Sequence, residues 1–331
     1  MFTIKSVLLV LFEFLIFARC EDVPSIIVIG AGPAGIAAAT KLYQNNITNV
    51  KILEAENRIG GRIHSVKFGN AIVDLGAEWC DGDDNIAVYN TIKELNLVEP
   101  TDYSKTFYHS SGDSIDQELT KELRTIFEEL YYVPIEAEEG VTLEEYVKNK
   151  YSVKVHEKYK NDSEKLKFAL EFLDTMRKEI LLAEGAFSWS DVSAKSDYEE
   201  SAENAGLNWK GRGFKTLLDV LMLKYPDPKK ELPLEIIFNK EVKTIFWDDN
   251  EATVQCSDSS IYKADHVILT VSLGVLKDRY QTLFNPELPE NKKNAIEELD
   301  IAAVVKIFFY FPTKWWSEKN FKSIDLVWTK K

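Results

Sequence analysis

Apolar positions recur along this chain with two periods. Leu119, Leu123, Ile126, Phe127 and Leu130 fall on one face of a helix, as do Leu166, Ala169, Leu170, Leu173, Met176 and Ile180. Such stripes predict amphipathic helices packed on a core. Short β-branched runs predict strands at Ser25–Ile29, Val50–Leu53, Ile236–Phe238, Val242–Trp247, Ala252–Cys256 and His266–Thr270. Strand patterns on both sides of a helical stretch predict two interleaved domains, one from 24–85 and 205–285, the other from 86–204 and 286–331. The run "AAVVKIFFYF" (Ala302–Phe311) is apolar or aromatic except for Lys306. It predicts a strand buried on both sides, where an ammonium needs a partner because its desolvation is costly. An edge strand whose lysine faces water is the simpler alternative.

The bulk composition is that of a globular protein, with 45% hydrophobic and 28% charged residues among 331. A net charge of −14 argues against a nucleic-acid partner and suits a cationic one. At the N-terminus, Lys5 precedes an apolar run from Val7 to Ala18, broken by Glu13, and small residues flank Arg19. This predicts a signal peptide over 1–20, too short for a membrane anchor, and a secreted protein. Cys80 and Cys256 would remain, as one bridge or as two thiols, with sequons at Asn46 and Asn161. His64, His109, His156 and His266 are scattered without metal-ligand spacing, so no metal is expected.

The chemistry begins with "SIIVIGAGPAGIAAATKLYQNNITNVKILEAENRIGGR". A strand ends at Gly30, and Gly30, Gly32 and Gly35 have the G-x-G-x-x-G spacing. A helix follows through Ala34, and a second strand ends at Glu54, roughly 20 residues after the last glycine. The glycines allow a tight turn, close approach of a pyrophosphate, and close packing of helix on strand. The helix N-terminus offers amides to the phosphates and the acid receives ribose hydroxyls. In that order these parts predict dinucleotide binding, without separating NAD from FAD.

The next residues, Arg58-Ile59-Gly60-Gly61-Arg62, resemble the R-x-G-G-R segment of the flavin-containing amine oxidases. "VDLGAEWCDG" (Val73–Gly82), "GRGFKTLLDVL" (Gly211–Leu221), "NKEVKTIFW" (Asn239–Trp247) and "ADHVILTVSLGVLK" (Ala264–Lys277) are similar to further segments of that family in order, closest to its polyamine oxidase branch. The resemblance implies an α/β fold: a Rossmann-like FAD-binding domain interleaved with an α+β substrate domain. It implies FAD as cofactor, Arg62 near its phosphates, and Gly76, Ala77, Glu78 and Trp79 beside the flavin. The backbone of Val242 would meet the adenine. Lys306 would be the lysine that holds a water at flavin N5. The implied reaction passes a hydride from the carbon beside an amine to the flavin, leaves an imine that water hydrolyses to an aldehyde, and returns electrons to O2 as peroxide. In this family the chain runs on past the position of Lys331, with a second FAD segment and substrate-binding aromatics, so the resemblance implies a missing C-terminal part.

A cationic polyamine would want carboxylates. Asp81 stands where relatives place His or Glu near the substrate, and otherwise reads as a loop acid in "DGDD". Glu184, in "LLAEGAF", aligns with a tunnel carboxylate of some polyamine oxidases and otherwise reads as a helix-end acid. Two other readings stay open: a secreted relative that keeps the fold but binds FAD weakly or not at all, and an NAD-dependent dehydrogenase. The sequence does not indicate an oligomeric state.

Overall fold

The computed structural model describes residues 23–101, 105–131, 137–195, 206–248, 250–314, 316 and 323–328. The expected signal peptide lies outside the described residues. The chain runs through β1 (Ile26–Ile29), α1 (Pro33–Gln44), β2 (Val50–Leu53), the hairpin of β3 (Ser65–Phe68) and β4 (Ala71–Asp74), α2 (Ala87–Ile92) and β5 (Lys105–His109). Three longer helices follow: α3 (Gln117–Tyr131), α4 (Leu143–Lys158) and α5 (Ser163–Glu184). After α6 (Thr216–Leu221) come β6 (Glu235–Ile237), β7 (Val242–Phe246), β8 (Ala252–Cys256), β9 (Ile261–Ala264) and β10 (His266–Leu269). The last elements are α7 (Leu273–Leu283), β11 (Phe284–Asn285), α8 (Glu290–Glu298) and β12 (Ser323–Val327).

The chain divides into two compact units, Met1–His64 with Lys215–Leu299, and Ser65–Phe214 with Asp300–Lys331. In the first, β10, β1, β2 and β6 form a parallel sheet in that order. Because side chains alternate across a strand, β1 feeds two cores. Ile26 and Val28 pack with Ala39 of α1, Val50 and Ile52. Ile27 and Ile29 pack with Val242, Ile245 and Val254 of the meander β7–β8–β9 and with Leu283 of α7.

The core of the second unit is helical. Leu123, Phe127 and Leu130 of α3, Val147, Tyr151 and Val155 of α4, and Phe172, Met176 and Ile180 of α5 meet Phe107 and Val327 of the parallel pair β5–β12. The sequence stripes of α3 and α5 face this core, apart from Leu170, which is exposed. The helix α4 has no counterpart in the sequence reading, although a capping box, with Thr142 bonding Glu145 in both directions, marks its start.

Two boundaries fall elsewhere than expected. Residues 65–85 and 206–214 group with the second unit, where the carboxylate of buried Asp74 accepts the Phe214 amide and the Ser65 hydroxyl. Residues 286–299 group with the first, where the Lys277 ammonium of α7 donates to the Glu297 carbonyl of α8. The expected strand at Ala302–Phe311 is not formed. Its residues enter no ladder among the described residues, and Val305 and Ile307 beside the lysine are 82% and 73% exposed. A strand buried on both sides is thus contradicted, because no described strand pairs with this segment to cover it. Cys80 and Cys256 are both buried free thiols. Among the described residues no helix is long and apolar enough to cross a membrane.

Candidate functional site

In the first unit the site is built by the end of β1. Gly30 takes φ +104°, a backbone region that favours glycine. A Cβ on Gly35, in the first turn of α1, would lie 1.9 Å from the Gly30 carbonyl oxygen, so helix and strand meet only through glycine. Gly32 is the opposite case: a Cβ there would meet nothing within 4 Å. Open space therefore faces the start of α1, where no side chain caps the helix and Pro33 fills the first turn. Its leading amides have no intrahelical acceptor and suit an anion.

A cavity of about 630 Å³ opens at this point, lined by Gly30, Gly32, Ala34, Glu54, Arg62 and Val242. Glu54, at the end of β2, is 8% exposed, and its two oxygens accept the Ala31 amide at 2.6 Å and the Glu56 amide at 2.9 Å. These bonds fix the carboxylate at the cavity wall and leave lone pairs for a hydroxyl-bearing ligand. They also make Glu54 part of the fold, since alanine there would leave the Ala31 and Glu56 amides without their acceptor.

Four cations line the cavity: Arg58, Arg62, Lys240 and Arg279. Arg58 pairs with Glu56 and donates to the Gly61 carbonyl, tying the glycine turn together. Lys240 pairs with Asp258, and Arg279 with Glu241 and Asp278. Arg62 is exposed and, among the described residues, has no acid partner. It is the cation left for a phosphate. An unfilled helix start, a fixed carboxylate and an uncommitted guanidinium fit the adenosine diphosphate half of a dinucleotide. The sequence reading named neither Arg58 as the turn's brace nor Thr270, whose hydroxyl donates to the Ile29 carbonyl at the cavity wall.

In the second unit the turn after β4 carries Gly76, Ala77, Glu78 and Trp79. The ammonium of Lys306 donates to the carbonyls of Asp74 at 3.1 Å and Gly76 at 2.7 Å, and to Glu78 Oε2 at 2.7 Å. The lysine therefore does not project into bulk water, and its partner is Glu78, a residue expected beside the flavin instead. Trp79 and Ala77 are exposed. Asp81 is exposed too, with Oδ1 accepting the Gly206 amide at 3.2 Å. Glu184 ends α5 and accepts the Tyr131 hydroxyl. Neither acid has a bond to the lysine. Buried Asp74, which the sequence reading passed over, anchors the turn that holds Lys306. Its place in the family-like segment Val73–Gly82 was the available signal.

The family model for flavin containing amine oxidoreductases matches residues 33–330. The chain belongs to this family. Its similar relatives include polyamine oxidases. The human peroxisomal N(1)-acetyl-spermine/spermidine oxidase is 29% identical over 339 residues, covering 92% of this chain and 65% of the relative. Polyamine oxidase 1 of Zea mays is 32% identical over 333 residues, covering 89% and 62%. The chain thus spans less than two thirds of their lengths. A solved putrescine oxidase double mutant, redesigned in cofactor binding, shares the fold with a TM-score of 0.50 at 19% identity, covering 83% of this chain and 63% of that one. The cofactor of the family is FAD, and the dinucleotide reading of the first-unit cavity takes that identity rather than NAD.

Proposed function

We propose that this chain is an FAD-dependent amine oxidase acting on polyamines, with O2 as the final acceptor. The observation that carries it is the first-unit cavity, where Glu54, Arg62 and the bare start of α1 converge. The polyamine assignment is supported by the similarity to the human N(1)-acetyl-spermine/spermidine oxidase and the Zea mays polyamine oxidase. When bound, FAD supplies the acceptor for a hydride from the carbon beside the amine and passes the electrons on to O2. The protein's part is to hold the cofactor and set charges. Glu54 accepts ribose hydroxyls, Arg62 and the α1 amides neutralise phosphate, and Val242 offers its backbone to the adenine. Lys306 would be the fixed cation that holds a water at the flavin once one of its three N–H bonds is released from its present acceptors. Asp81 and Glu184 are the candidate carboxylates for a substrate ammonium. The apolar leader read over 1–20 supports export of the chain.

The exposure of Val304–Phe311 favours a second reading, a chain that keeps the fold but turns over no amine. Incubation with FAD and spermine separates the two. Flavin absorption bands and peroxide that disappears in Lys306→Met support the oxidase. A folded, colourless chain that makes no peroxide supports the second reading.

A further inference from the structure

An ammonium has three N–H bonds, and each one on Lys306 has an acceptor. Two acceptors are backbone carbonyls in the turn after β4. That turn is braced by the β3–β4 ladder and by the Asp74 carboxylate, which accepts the Phe214 amide at 3.0 Å. They cannot withdraw without moving the hairpin. The third is a side chain. Glu78 is about one-third exposed, and no other hydrogen bond among the described residues holds its carboxylate. The segment around the lysine has no backbone ladder of its own, and its neighbours Val305 and Ile307 face outward. The position of the ammonium is therefore set by these three acceptors and not by a backbone ladder.

We propose that Glu78 is a positioning residue for Lys306 and the releasable member of this three-acceptor cage. While Glu78 is in place, no N–H of Lys306 is left to hold a water or a ligand atom. Rotation of Glu78 frees one N–H and leaves the two carbonyls to keep the ammonium where it is. A cationic amine competes with Lys306 for the same carboxylate, since both are ammonium donors. Arrival of such a ligand at Glu78 and release of the Lys306 N–H are then one exchange. What the freed N–H does for a bound flavin rests on the oxidase reading above; the cage does not.

The test is competitive acylation of the folded chain, read by mass spectrometry as labelling of Lys306 relative to exposed Lys67 on β3. Glu78→Met removes the acceptor and should raise the ratio several-fold. Glu78→Gln keeps a carbonyl acceptor and should fall between Met and wild type, with thermal stability unchanged. Spermine should raise the ratio in the wild-type chain and leave it unchanged in Glu78→Gln. This arm keeps the proposal testable if the methionine variant does not fold. A Lys306 ratio that is the same in wild type and Glu78→Gln, or that spermine fails to move in wild type, overturns the proposal. A chain that gains no flavin bands but shows the shifts sinks the oxidase reading and leaves the cage standing. A yellow, peroxide-forming chain with unchanged ratios does the reverse.

Discussion

Ile26–Ile29 and Ala302–Phe311 are both apolar runs, yet the first is wholly buried and the second lies mostly in water. The difference lies in what surrounds them. β1 has parallel neighbours on both edges, β10 and β2, and a core on each face. The later run has no ladder among the described residues, and what ties it down is the polar bonds of Lys306 and the ring contacts of Phe308 and Tyr310 with Phe68. Apolar content states a demand for burial; partners decide whether it is met. The cofactor cavity sits at the end of the run whose demand is satisfied, which is why its geometry can be read so closely.

That contrast can be broken most sharply at Gly35. A methyl group there would sit 1.9 Å from a backbone oxygen, so Gly35→Ala should cost about 3 kcal/mol or more by forcing β1 and α1 apart. A denaturant midpoint unchanged from wild type would contradict the packing. Next, Val28→Ala in the fully buried strand should cost about 2 kcal/mol, while Val305→Ala should stay within about 0.5 kcal/mol. Equal losses in chemical denaturation would mean that the later run is covered after all.

A smaller effect is expected where β12 meets α5. Lys105 lies 2.8 Å from Glu179 and 3.3 Å from Asp325, so two acids share one ammonium. Glu179 Oε1 and Asp325 Oδ2 are buried without a directed hydrogen bond. Burial raises the Glu179 carboxyl above its ordinary 4.5, and Asp325 adds to this while Lys105 and Arg124 oppose it. The folded state therefore keeps that proton more readily than the unfolded one. Stability from this group is full below the ordinary value and falls as pH rises through the higher folded value. Glu179→Gln should be no less stable than wild type at neutral pH and should lose that advantage on acidification. A melting-temperature difference that does not change with pH would contradict the arrangement. The smallest effect concerns Cys80, whose thiol is pushed up to about 11, by burial first and then by Asp81. Alkylation of the folded chain at neutral pH should be slow, and fast labelling of Cys80 would show that the site opens.

Local signals made much of this legible. The glycine spacing, the acid ending β2 and the stripes of α3 and α5 are short-range patterns, and each matches its element. The partner of Lys306 was not legible, because Asp74, Gly76 and Glu78 are distant in sequence and the bonds to two of them run through backbone oxygens. Position alone could not distinguish an Arg58 that braces the turn from an Arg62 that stays uncommitted. The Lys105–Glu179–Asp325 cluster joins three separate elements and left no pattern in any of them.

The central claim is that the cavity at the end of β1 holds the dinucleotide through Glu54. Titration of the chain with FAD, followed by flavin fluorescence, tests it directly when wild type is compared with Glu54→Gln, which preserves shape and one carbonyl acceptor. Losing a charge-assisted hydrogen bond of about 1.5–3 kcal/mol should weaken binding roughly tenfold or more, with circular dichroism unchanged. Equal FAD affinity in the two proteins, or no binding by the wild-type chain, would contradict it.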